Sequence, residues 1–366
     1  MLTCEKVAAD RLAPADVAEW HSMLAATPAF QSPLLTPEFA QLIASVRDDV
    51  QVCVFRRGGK AMGFLAVHMR PGRFARPAGA PFADYSALIT FSDPGFTAAE
   101  ALAIAGIAQY QAIGLIDPHG VFGEVEGEAD HAYAIDLSDD APENFAGKKT
   151  AKNLRRLTRN LIETHGELSY LVNDRDPARF DAMVALKRRQ TRETGLHDFL
   201  KPAWVAAMLE RLRQAPESGL HGFMLTLMAG DTPITSHFGV RLGERVHPWI
   251  STYDPAFAAF SPGQVFLNEL HEPLRAAGIT WYDLSTGQTS LKASFSNTGF
   301  PVTHARVRAV KPAPRRTFSD GFERQLARIR RRFDHIATLE LDMAGRLRGF
   351  AFAVASAPRR HRSEHG

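Results

Sequence analysis

One order of elements occurs twice along the chain: strand, glycine turn, strand, loop, helix, glycine, strand. In the first half, residues 50–55 alternate as a strand, Arg57-Gly58-Gly59-Lys60 turns the chain, and residues 61–69 return. A Pro/Gly-rich loop over 71–81 follows, then a strand near 85–91, a helix over 98–113 and a short strand over 114–117. In the second half, strands over 220–228 and 233–241 flank the turn at Ala229-Gly230-Asp231-Thr232, and another spans 246–252. A helix then runs over 263–277, Gly278 caps it, and residues 279–284 form a strand. Gly58-Gly59 thus matches Gly230-Asp231, and Gly114 matches Gly278. A repeat of this length constrains architecture more than any local motif. It predicts an α/β (α+β) fold of two tandem units, each a mixed, mostly antiparallel sheet flanked by helices.

The remaining elements fit around the repeat. Pro14-Ala15-Asp16 opens a helix whose apolar stripe is Val17, Trp20, Met23 and Leu24. Thr36-Pro37 opens another, carrying Phe39, Leu42, Ile43 and Val46. A strongly basic helix spans 148–165, a strand 168–173, two helices 177–194 and 202–214, and a last strand 302–310. At roughly 150 residues per domain, the 366 residues divide into units at 1–146 and 147–311 with a tail over 312–366.

Composition removes several classes of function. Two cysteines, Cys4 and Cys53, make neither a disulfide framework nor a four-cysteine zinc site, which points to a reduced, cytoplasmic protein. The 14 histidines show no HExxH spacing, so no metal is expected, and there is no GxGxxG or Walker lysine loop. No run approaches the ~20 apolar residues of a membrane span. The opening stretch has early acids where a secretory signal needs an apolar core. Stable membrane insertion is therefore not expected.

The net charge of +3 hides an asymmetry. Residues 306–366 carry 15 Lys/Arg against 6 Asp/Glu, whereas the preceding 305 residues carry 28 against 34. An acidic body with a basic tail lacks the charged stripe of a dedicated nucleic-acid binder. After Lys311-Pro312-Ala313-Pro314, the side chains Phe322, Leu326, Ile329 and Phe333 share one helical face. The tail is expected to dock on the body as a basic amphipathic helix and to be dispensable for chemistry. Residues beyond about 355 read as disordered.

The segment with most chemical content runs from Trp249 to Gln264, where a strand feeds a loop and Ser261-Pro262-Gly263 opens a helix. The first turn of a helix leaves backbone N–H groups unpaired at its positive end, a ready site for a pyrophosphate. Gly263 permits close backbone approach, and Pro262 suits a position with no N–H partner. The same tripeptide also serves as a plain helix cap.

Further stretches, taken in order, give this segment a context. They are Ser32-Pro-Leu-Leu-Thr-Pro-Glu-Phe39, Asp84-Tyr85, Lys152-Asn-Leu-Arg-Arg156, Leu186-Lys-Arg-Arg-Gln190 with Thr194-Gly195, and His237-Phe-Gly239. Trp249-Ile250, Tyr253-Asp254, Ser261-Pro-Gly263, Asp283-Leu284 and Lys292 follow. In this order and spacing the chain resembles GNAT acyltransferases, and more closely the cellulose-biosynthesis CelD-type acetyltransferases, relatives of the FemABX aminoacyltransferases. The resemblance implies two GNAT-like units, the first degenerate, with acetyl-CoA or another acyl-CoA held by the second. The pyrophosphate would rest on the backbone of Ser261, Gly263 and Gln264, with Pro262 and Val265 as further cofactor contacts and Lys292 reaching a phosphate or the thioester. Leu291 stands where an aromatic hydroxyl is expected, so the acid for the leaving thiolate is not supplied by the resemblance.

Direct attack of an acceptor on a thioester needs orientation, a base and oxyanion donors. His237 and Asp254 are candidate bases, although His237 also fits a structural role and Asp254-Pro255 a turn. Asp84, a further catalytic candidate, and Tyr85 either serve the acceptor side or form a plain turn, with Trp249, Tyr253 and Asp283 as further substrate contacts. The basic run from Lys148 to Arg159 reads either as a solvated face with Leu154, Leu157 and Leu161 turned inward or as an anion site. The expected activity is an N- or O-acyltransferase whose acceptor is a small molecule, a sugar or nucleotide sugar for exopolysaccharide. The alternatives are a FemABX-type enzyme drawing on aminoacyl-tRNA and a non-catalytic assembly partner.

Overall fold

In a computed structural model, residues 1–141, 148–287, 290–309 and 333–355 are described. The first half holds β1 (Leu2–Val7), α1 (Pro14–Ala26), α2 (Pro37–Ala44), β2 (Val50–Arg57), β3 (Lys60–Arg70), β4 (Phe74–Pro77), α3 (Ala98–Ile104), β5 (Gln109–Leu115) and β6 (Gly127–Asp136). The second begins with α4 (Lys148–His165), β7 (Leu168–Val172), α5 (Pro177–Glu193), α6 (Ala203–Gln214), β8 (His221–Ala229), β9 (Thr232–Leu242) and β10 (Arg245–Tyr253). It continues with α7 (Pro262–Glu269), α8 (His271–Ala276), β11 (Trp281–Thr286), α9 (Ser290–Phe295) and β12 (Thr298–Arg308). Helical residues 333–339, here α10, and α11 (Met343–Ala355) close the described chain.

The strands form one sheet in the order β1-β2-β3-β4-β5-β12-β6-β11-β10-β9-β8-β7. Only β4–β5 and β10–β11 are parallel; the other pairs are antiparallel. Each half pairs its first five strands in the same way, and the sixth strands are exchanged. Thus β6 borders β11, β12 borders β5, and β6 and β12 pair with each other across the seam.

The repeat recurs in the helix ends. At α3 the Gly106 amide donates to Ala103 O (3.0 Å) and Ile107 to Leu102 O (2.8 Å). At α8 the Gly278 amide donates to Arg275 O (2.9 Å) and Ile279 to Leu274 O (3.0 Å). Both glycines have positive φ, 66° and 70°, as this left-handed cap requires. The partner of Gly278 is therefore Gly106 and not Gly114.

Alternation along the strands sorts side chains to two faces. Val52 and Val54 of β2, Met224 of β8 and Phe238 of β9 face a core shared with α1, α2, α5 and α6. On the other face, Phe55 and Cys53 pack under α3, while Phe223, Leu225 and Leu227 pack under α4, α7 and α8. Leu154, Leu157 and Leu161 of the basic helix are turned into that core, and Lys152, Arg155, Arg156 and Arg159 remain exposed.

Several elements differ from the sequence reading. The helix expected over 98–113 ends at Ile104, because the Gly106 cap releases the chain into β5. The loop over 71–81 contains β4, and residues 85–91 make only two isolated bridges, Ser86–Leu115 and Ile89–Phe64. The helix over 263–277 breaks at Leu270, since Pro273 has no N–H to donate back to Glu269. β1 and β6 were not legible. Of the tail's proposed face, Phe322, Leu326 and Ile329 lie outside the described residues, whereas Phe333 meets Phe350 edge-on, with centroids 4.9 Å apart. Among the described residues, no helix is long and apolar enough to cross a membrane.

Candidate active site

The two parallel pairs open into wedges. β10 and β11 pair only at Arg245–Trp281 and Val246–Tyr282, after which each keeps its outer partner and the strands part. β4 and β5 likewise pair only at Phe74–Gln109 and Ala75–Tyr110. In the first unit the chain itself fills the wedge: Ser86 bridges Leu115 and Ile89 bridges Phe64. The space left there is about 30 Å³. In the second unit a cavity of about 420 Å³ remains.

His247 and Asp283 occupy the apex of the open wedge, each one residue past the last paired position. The plug of the first unit brings Asp84 and Tyr85 to the same point. His247 Nε2 lies 2.8 Å from Asp84 Oδ2, and its Nδ1 lies 3.5 Å from Asp283 Oδ1, an ion-pair distance too long for a hydrogen bond. Tyr85 OH donates to Asp283 Oδ1 (2.8 Å), the Ser285 amide to the same oxygen (2.6 Å), and Ser285 Oγ to Asp84 Oδ2 (2.7 Å). Burial works against a charged imidazole, yet Asp283 and Asp84 outweigh it and push His247 up to about 10. Burial would also raise Asp84, but His247 and Ser285 hold its carboxyl below the usual range. Tyr85 is pushed well upward by burial and by Asp283, so its phenol stays neutral. The cavity thus meets one fixed carboxylate, Asp84, whose side chain is 26% exposed.

His237 also lines the cavity. Its Nδ1 is 2.7 Å from Tyr282 OH and its Nε2 2.7 Å from Ser251 Oγ. Burial, assisted by the charge on Lys187, lowers it to about 3, so the ring is neutral at pH 7. Ser251 is exposed, and its carbonyl accepts from Lys187 Nζ (2.9 Å). The β9–β10 ladder shifts register between Pro248 and Ile250, a bulge that takes Trp249 out of the ladder and places it on the cavity wall. Gly239 makes this fit possible: a Cβ there would lie 2.0 Å from His247 O and 2.4 Å from Pro248 Cα.

Of the Ser-Pro-Gly segment, Gly263 lines the cavity. Ser261 is left-handed (φ 51°) and caps nothing with its side chain. Its carbonyl accepts from the Gln264 amide (2.9 Å) and the Val265 amide (3.1 Å). Pro262 and Val265 are buried. Lys292 also lines the cavity and donates from Nζ to Thr286 O. Burial lowers its pKa against the pull of Asp84, Asp283 and Asp130.

Other candidates stand apart. Asp254 accepts from the Ala256 amide (2.9 Å), capping the turn that its Pro neighbour suggests. Tyr253 is exposed, with its carbonyl taken by Gln190 Nε2 (3.1 Å). Asp283 and Tyr85 are buried in the apex network instead of lining the cavity. His247, Ser251 and Ser285 were not singled out from the sequence, because nothing local marks a wedge apex. Among the described residues no group of His, Cys, Asp and Glu is placed to hold a metal ion.

Residues 148–293 match the family model described as an acetyltransferase (GNAT) domain. That stretch is thus similar to a GNAT acetyltransferase domain. FemX superposes on it with a TM-score of 0.51 at 10% identity, over 84% of this chain and 97% of FemX. A tandem GNAT protein from the clavulanic acid biosynthesis pathway gives 0.46 at 13% identity, over 86% and 100%. A glucosamine N-acetyltransferase region of a fungal multi-domain β-N-acetylglucosaminidase gives 0.43 at 10% identity; 84% of this chain is covered, against 38% of the fungal one. No curated protein matches the sequence. The wedge between β10 and β11 lies within the matched GNAT domain, and Asp84 reaches it from outside.

Proposed function

We propose that this chain is an acyltransferase of the CelD-like type that moves an acyl group from acyl-CoA to a hydroxyl or amine of a sugar-like small molecule. The observation that carries the reading is the open wedge, whose cavity is lined both by Gly263 at the N-terminus of α7 and by the Asp84 carboxylate. In this reading the pantetheine arm enters the wedge, and the pyrophosphate lies over Gly263. The exposed cations of α4, a helix that approaches α7 through Thr158 and Glu269 (3.5 Å), add phosphate contacts. The plugged first wedge leaves no comparable room for a second acyl-CoA. Trp249, Phe82 and Phe199, with Phe82 and Trp249 centroids 5.3 Å apart, offer an aromatic wall on which a sugar ring stacks.

The acceptor oxygen or nitrogen attacks the thioester carbonyl. Asp84 orients it and receives its proton, the backbone freed by the bulge at Trp249 faces the developing oxyanion, and the C–S bond breaks. Lys292, whose pKa burial lowers, protonates the departing thiolate. His237 holds Ser251 in place as a neutral ring and takes no proton.

Thermal stabilisation across a panel of CoA thioesters tests this reading. A ligand at 100 times its Kd adds about 2.7 kcal/mol, and no shift with any thioester removes it. The aminoacyl-tRNA alternative also uses the basic face of α4, but demands binding to tRNA that weakens steeply with salt.

A further inference from the structure

The cavity has a wall that the acyltransferase segment does not supply. His335, on α10 of the tail, lines it together with Asp84, Phe199 and Lys292. The position of α10 is fixed from both units. From the first unit, Arg76 pairs with Asp334, and Arg47 Nη1 donates to Thr338 O (3.4 Å). From the second, Trp204 Nε1 donates to Leu339 O (2.9 Å) and His197 Nε2 lies 2.9 Å from Glu340 Oε1. Ile336 and Leu339 are fully buried, whereas His335 between these anchors is exposed on the cavity wall.

We propose that His335 binds the acceptor, so that the tail completes the acceptor end of the cavity and decides which acceptor is taken. This rests on the acyltransferase reading above. The imidazole supplies one donor and one acceptor to a cavity that Phe82, Trp249 and Phe199 also line. Such a pairing of a polar edge with aromatic faces suits a ring bearing several hydroxyls. The expectation that the tail is dispensable is thereby reversed.

The test measures CoA release from acetyl-CoA with D-glucosamine as the probe acceptor, for wild type, His335→Ala and His335→Gln in the full chain. The expected result is at least a tenfold rise in KM for glucosamine in His335→Ala and a smaller rise in His335→Gln. KM for acetyl-CoA and stabilisation by it should stay within twofold of wild type. A glucosamine KM unchanged in His335→Ala overturns the proposal, as does an equal loss of acetyl-CoA affinity. Wild type stabilised by acetyl-CoA but inert toward glucosamine overturns the sugar acceptor and His335's role in it. Wild type that acetyl-CoA does not stabilise overturns the acyltransferase reading itself.

Discussion

Asp84 and His247 stand 163 residues apart in sequence and 2.8 Å apart in the fold. One comes from the segment that plugs the first wedge, the other from the apex of the open one. The plug therefore serves the second unit: closing one cavity carries a carboxylate into the other.

That ion pair makes stability depend on pH. His247 is pushed up to about 10 in the folded chain, against ~6.5 in an unfolded one. A raised pKa stabilises fully below the unfolded value and ceases to do so as pH rises through the folded one. The melting temperature of wild type should fall between about pH 6.5 and pH 10. His247→Gln should remove most of that slope and cost about 3–5 kcal/mol near neutrality, because two carboxylates lose their shared cation. Thermal melts of both proteins across this range check it; parallel curves would contradict the assigned charge.

Gly263→Asp is expected to abolish acyl-CoA binding without unfolding the chain. A Cβ at this position meets nothing within 4 Å, so the fold tolerates it. The new carboxylate would repel a pyrophosphate there. Calorimetric titration with acetyl-CoA, alongside a melt without ligand, separates the two effects.

Asp84→Asn should reduce turnover by about 10²–10⁴-fold while leaving acyl-CoA affinity close to wild type. The carboxamide keeps the shape but neither accepts the proton nor balances His247. Steady-state kinetics with both substrates is the check, and a fall confined to acyl-CoA binding would place Asp84 on the donor side.

Gly239→Ala should be among the most damaging single methyl additions, costing about 3 kcal/mol or more. The nearest atoms are backbone, His247 O at 2.0 Å and Pro248 Cα at 2.4 Å, so no side chain can swing aside. Denaturant midpoints compared with Gly263→Ala, where space is open, measure the difference.

The repeat, the order of most elements and the inward face of the basic helix were legible in the sequence because each rests on local chemistry. A hairpin needs its glycine turn, a helix its cap, and Leu154, Leu157 and Leu161 fall on one side of a 3.6-residue period. Gly263 could be named from its place in the first turn of a helix, whereas Trp249, Asp84 and Lys292 were named through the resemblance to GNAT acyltransferases. What only the tertiary structure decided depends on contacts between distant segments. The exchange of β6 and β12, the filling of one wedge and not the other, the protonation of His247 and the seating of His335 have no local sequence signature. A wedge exists where two strands stop pairing, and a histidine is charged or neutral according to what surrounds it: His247 has two carboxylates and is held charged, while burial beside the charge of Lys187 holds His237 neutral.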